Sequence, residues 1–249
     1  MLDIPIEDLV SVLFVLIAVT ITLMVAIKSI KAYRANKATL TLIIALASLL
    51  TSLAMIFLTL EKAFFLESLP IYSISLGEIF GAIAVVISGA TVLAFAIFAY
   101  EMAFPDRRNK LAIISALPIL LYLGFWLFDE TRHVSCEMGA GGYNICEIAF
   151  GDLFGLGFEF TPLLAYFTLV PLFAVPILIL FYYAIKVRNE DATKSKRAAL
   201  LGVGGLALAT AYTIEISGID PIITAGVRSL FIVAGLLFYW ALFKIKARE

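Results

Sequence analysis

The chain has 249 residues, 63% of them apolar and 15% charged, with a formal net charge of −1. A soluble globular protein averages about 45–50% apolar and about 25% charged residues, so a soluble enzyme, a disordered tail and a nucleic-acid-binding domain are excluded. The near-zero charge supplies no field to gather nucleic acid, and a polytopic membrane protein remains.

A bilayer-spanning helix needs about 20 apolar residues. Seven segments qualify, at roughly 9–27, 38–60, 79–100, 111–128, 160–185, 198–215 and 221–243. They predict an all-α fold, a single domain built as a seven-helix transmembrane bundle. The first segment has no small-residue cleavage site after a short apolar core, so it reads as a retained helix and not a removed signal peptide. Two short apolar stretches, 63–76 and 149–157, are expected to lie along the membrane surface. Pro118, Pro171 and Pro176 fall inside spans four and five, where each removes a backbone donor and is expected to bend its helix. Thr161–Pro162 and Asp220–Pro221 each place a capping side chain before a proline, a preferred helix start. Span six opens with Gly202, Gly204 and Gly205, small residues that let neighbours approach closely in lipid.

The connecting segments predict the orientation. Of the 18 basic residues, 15 lie in the linkers after spans one, three, five and seven. Positive charge marks the cytoplasmic side, so the N-terminus is expected outside and the C-terminus inside, in a multi-pass protein of the cell membrane. The other side is acidic, with Glu61, Glu67, Asp129, Glu137 and Glu147 among its residues. It carries an outer cap loop at 129–159. Nine residues, three of them glycine, separate Cys136 from Cys146 there. Disulfides persist on the non-cytoplasmic side, so a Cys136–Cys146 bridge is expected.

Two charges stand in or beside the last spans. Glu215 lies at the outer end of span six and Arg228 about two turns into span seven. With a tight turn between them, the two side chains reach similar depth. An unpaired arginine at the bilayer centre costs about 2.5–3.5 kcal/mol, so Arg228 is expected to take Glu215 as partner, with Asp220 second and Tyr212 nearby. The group is either a ligand-binding site or a structural pair that fixes the contact of spans six and seven. Lys194, Lys196 and Arg197 form the candidate contact for a cytoplasmic partner.

The chemistry of cofactors is sparse. The single His133 excludes a bis-histidine haem and argues against histidine metal sites. No lysine stands in the middle of span seven, so no retinal Schiff base is expected, and arginine does not substitute for it. No phosphate loop, nucleophile motif or metal cluster is visible, so no enzyme, cofactor or metal is expected. The chain contains no Gln and four Asn, a scarcity of thermolabile amides that points to a thermophile.

The last third reads Lys196-Arg197-Ala198-Ala199-Leu200-Leu201 into span six, then Asp220-Pro221, then Leu237-Phe238-Tyr239-Trp240-Ala241-Leu242-Phe243-Lys244. In this layout the chain resembles the seven-transmembrane N-terminal sensor region of prokaryotic, including archaeal, histidine kinases. That family carries a kinase module after the seventh span. The resemblance therefore implies a detached sensor that binds a small ligand or partner and signals through its cytoplasmic loops to another protein. The alternatives are a non-catalytic subunit of a larger membrane complex (respiratory, quinone-contacting or cell-surface) and a small transporter. A protein partner or a homo-oligomer is expected in addition to the lipid bilayer.

Overall fold

In lipid every backbone donor and acceptor must be satisfied within the protein, so long apolar runs fold as helices. In the computed structural model they are α1 (Ile6–Asn36), α2 (Thr39–Phe64), α3 (Ile74–Ala103), α4 (Arg108–Phe128), α5 (Phe160–Lys186), α6 (Ala192–Ile216) and α7 (Pro221–Phe243). The structure describes the backbone of residues 6–138, 142, 144–152, 154–155, 159–216 and 221–245, and their side chains except at 6–11, 162, 215–216 and 221–225. Among the described residues seven helices are long and apolar enough to cross a membrane, so the protein is a mainly helical, multi-pass membrane protein.

The helices outrun the apolar segments, because polar residues beyond the spans still favour helix once the apolar part is fixed. α1 continues through the basic run to Asn36, and α6 starts at Ala192 rather than near 198. The Asp191 carboxylate accepts the Lys194 backbone N–H at 2.9 Å and caps that early start. The turn from α1 to α2 is tight. Lys37 adopts a left-handed φ of 55°, and Asn36 Oδ1 accepts the Ala38 N–H at 3.0 Å.

Helices α1, α2, α3, α5, α6 and α7 close a ring, with α7 packed back against α1, while α4 sits outside it against α3 and α5. The core holds Phe95 and Phe98 of α3, Phe173 and Leu180 of α5, and Phe231 and Phe238 of α7. The glycines of α6 serve this core. A Cβ at Gly204 or Gly205 would stand 2.8 Å from the Phe238 ring or 2.9 Å from the Phe95 ring. Close approach at the start of span six is therefore to aromatic rings of neighbouring helices.

The loop at 129–159 contains a feature the helical reading lacks: a hairpin of β1 (His133–Met138) and β2 (Asn144–Ala149). Its register pairs Cys136 with Cys146, and the two cysteines form the expected disulfide, with Cα atoms 4.1 Å apart. Neither 63–76 nor 149–157 forms a separate surface helix among the described residues. α2 runs on to Phe64, Phe65 turns into the core, and Leu66 bridges to Ile145 beside β2. Gly77 makes that inward turn possible, since a Cβ there would stand 2.3 Å from the Phe65 ring. Thr161 does not cap α5. That helix begins at Phe160 after Glu159, and the Thr161 hydroxyl is drawn away to Asp129.

Candidate functional site

The contact of α6 with α7 is built around Tyr212. Its ring is buried, stacked on Phe173 of α5 at 5.5 Å and edge-on to Phe231 of α7 at 5.3 Å. Residues three apart share a helix face. Glu215 therefore shares the Tyr212 face of α6, and Arg228 shares the Phe231 face of α7. In antiparallel helices the Tyr212–Phe231 contact brings the next turn of each, with Glu215 and Arg228, to the same level. Arg228 is half-buried there. The Glu215 side chain and all of Asp220 lie outside the described residues, so the expected pair is located by helix face alone.

At the hairpin end the segment after α2 joins the hairpin edge to edge. Cys146 N–H donates to Phe65 O, Glu67 N–H donates to Asn144 O, and Asn144 N–H donates to Glu67 Oε2, at 3.1, 3.1 and 2.8 Å. Asp129, which ends α4, ties the hairpin to the helices on the other side. Its Oδ1 accepts the Thr131 N–H at 2.8 Å and the Thr131 hydroxyl at 2.6 Å, and its Oδ2 accepts the Thr161 hydroxyl of α5. Thr131 Oγ1 in turn accepts the Gly151 N–H at 3.1 Å, beyond β2. Burial opposes the charge on Asp129. The hydrogen bonds from Thr131 and Thr161, with the Arg132 charge, outweigh it and hold the carboxyl below its usual range. Arg132 itself lies over the Trp126 ring, 5.1 Å from its centre.

At the opposite, basic end the ties are made by cations. Lys28 of α1 donates to the Tyr239 hydroxyl of α7 and stands 4.5 Å from the centre of that ring. Arg108 meets Glu101 at 2.9 Å. The three residues expected to contact a partner are not equivalent. Arg197 turns inward and donates to Ile245 O, past the end of α7. Lys194 pairs with Asp191 at 3.3 Å, which leaves exposed Lys196 without a described ion pair. The Lys194 backbone N–H, then its ammonium, hold the Asp191 carboxyl below its usual range.

Sequence reasoning missed the Asp129 junction and the Lys28–Tyr239 tie. The first had a signal: an aspartate just past a predicted helix, followed two residues later by threonine, is the pattern of a side chain that folds back on its own backbone. The second pairs residues 211 apart, and no local pattern encodes it. Among the described residues no group of three or more His, Cys, Asp or Glu is placed to hold a metal ion. No protein-family model matches the chain, and no curated protein or solved structure matches it.

Proposed function

We propose that the protein is a sensor or receptor-like protein of the cell membrane, with its N-terminus and hairpin outside and its basic end in the cytoplasm. It binds a small ligand or a partner at the outer end and signals through its cytoplasmic loops to another protein, as its resemblance to histidine-kinase sensor regions implies. One observation carries the reading. The disulfide-closed hairpin is joined to the α2–α3 end by main-chain hydrogen bonds. Helix α2 packs on α1, and α1 is tied to α7 at the basic end through Lys28 and Tyr239. A displacement of the hairpin thus has a packed path to the helix that leaves the membrane beside Arg197 and Lys196. In this reading Glu215 and Arg228 support the contact of α6 with α7 along that path, and Lys196 faces the cytoplasmic partner.

A second reading, a non-catalytic subunit of a larger membrane complex, is favoured by α4. That helix lies outside the ring, and Ile113, Leu117 and Leu120 on one of its faces are each more than half exposed. On this reading a neighbouring subunit covers that face.

Purification from native membranes in mild detergent, with mass spectrometry of what accompanies the chain, tests both. The sensor reading expects a lone protein or homo-oligomer whose melting point rises with some member of a small-molecule screen, following mass action. Fixed companions in constant ratio, with no ligand shift, would overturn it in favour of the subunit.

A further inference from the structure

Helices α1, α2, α3, α6 and α7 enclose a cavity of about 20 Å³ inside the bundle. Thr22 of α1, Ser48 and Thr51 of α2, and Thr91 of α3 contribute hydroxyls to its wall, and much of the remainder is apolar, with Phe231 and Phe238 on the α7 side. We infer that this cavity is a binding site for one water molecule, which links α2 and α3 through their hydroxyls beside Thr22 of α1. The inference is independent of the sensor reading.

Three properties of the wall carry it. The first is size. A water needs roughly 10–15 Å³ of such volume and two to four polar partners, so the space takes one water and has no room for a chain of them. The second is the direction of the hydroxyl protons. Thr51 donates to Ala47 O at 2.8 Å and Thr91 to Ile87 O at 2.9 Å. A hydroxyl has one proton and two lone pairs, so these two oxygens turn only acceptor capacity toward the cavity. Thr22 spends its proton on Ala18 O or on Ser52 Oγ, at 2.9 and 2.7 Å. Ser48 lines the same wall, and its hydroxyl carries one proton and two lone pairs. Water matches this set: it donates to Thr51 and Thr91 and accepts from Ser48.

The third property is charge. No carboxylate lines the cavity among the described residues. A metal cation placed there gains hydroxyl oxygens but no counter-charge, and an uncompensated ion inside a low-dielectric bundle is far costlier than a neutral water. The lone pairs that invite a cation are thus satisfied by the protons of water at no charge penalty.

Solid-state NMR of the full chain in lipid bilayers, with threonine and leucine carbons labelled, tests the site. Polarisation transferred from water protons is expected at the Thr51 and Thr91 side chains well above that at the buried Leu180 methyls. In the double variant Thr51→Val and Thr91→Val, transfer at Thr22 is expected to fall to the Leu180 level. Transfer at Thr51 and Thr91 no greater than at Leu180 in the wild type would overturn the inference, whether or not the variant folds. A melting point raised by sodium chloride over choline chloride at equal ionic strength, and lost in the double variant, would also overturn it by assigning a cation.

Discussion

The two ends of the bundle are held by different chemistry. At the hairpin end the ties are a disulfide, main-chain hydrogen bonds between residues 65–67 and 144–146, and the short Asp129 side chain gripped by two threonines. At the basic end they are long cationic side chains: Lys28 on Tyr239, Arg197 on Ile245 O, Arg108 on Glu101 and Lys194 on Asp191. Covalent and main-chain ties fix one geometry and do not respond to salt. A lysine or arginine tie spans several rotamers, and its attraction at an exposed site is screened over about 8 Å at physiological ionic strength. The hairpin end is therefore the stiff part of the molecule and the basic end the adjustable one. A sensor with its input at the stiff end and its output at the adjustable end would use this asymmetry.

The disulfide is the strongest test of that contrast. Replacing both half-cystines with Cys136→Ser and Cys146→Ser frees a loop of sequence separation 10, which the chain-entropy relation sets at about 3 kcal/mol. The melting point in detergent is expected to drop while the helical circular dichroism at 25 °C stays the same, because the seven spans do not depend on the hairpin. An unchanged melting point would mean that main-chain bonds alone hold the hairpin, and the stiffness of that end would lose its covalent part.

Asp129→Asn is expected to cost about 2 kcal/mol at pH 7, since hydrogen bonds to a charged group contribute about 1.5–3 kcal/mol each and the amide retains some of them. The pH dependence has a fixed sign. The folded carboxyl titrates below its unfolded value, so its stabilisation is complete above the unfolded value, near about 3.9, and is lost as the pH falls through the folded value. Melting points of wild type and variant are therefore expected to converge only below about pH 4. A gap that persists into that range would show that Asp129 acts by shape rather than by charge.

Lys28→Met tests the other end. The lysine is exposed and the ring half-buried, so the expected loss is at most about 1 kcal/mol. Its diagnostic is salt: at 1 M sodium chloride the difference from wild type should vanish, while the losses from the cysteine and Asp129 variants remain. If all three respond to salt alike, the contrast between the ends is not one of screening.

The sequence carried the transmembrane part well because a bilayer imposes one rule, length and apolarity, on every span. The bounds of α7, 221–243, match the apolar run, and Cys136–Cys146 follows from the compartment and a glycine-rich loop. The hairpin around that bridge was only partly legible. The first strand did carry a signal, since His133–Met138 alternates strictly polar and apolar, but six residues inside a loop between spans read as loop, and Asn144–Ala149 does not keep the alternation. The α6–α7 site was legible as a charge problem, two ionisable residues where lipid tolerates few. Among the described residues the contact there is aromatic: Tyr212 joins α5, α6 and α7 through rings that look like ordinary core in the sequence.

The smallest effect concerns the turn where α1 hands over to α2 at the basic end. Lys37 holds a φ of 55°, a region that costs an L-residue about 1–2 kcal/mol and glycine almost nothing. Lys37→Gly removes that cost but widens the unfolded ensemble, so the net gain is expected to be about 0.5 kcal/mol. The substitution also removes the ammonium lying 5.5 Å from the Tyr33 ring. Lys37→Ala separates the two, because it loses the same ammonium and keeps the backbone cost. A melting point for the glycine variant above that of the alanine variant measures the backbone alone. Equal values would mean that the turn relaxes without the left-handed residue. The basic end would then be adjustable in its backbone as well as in its side chains.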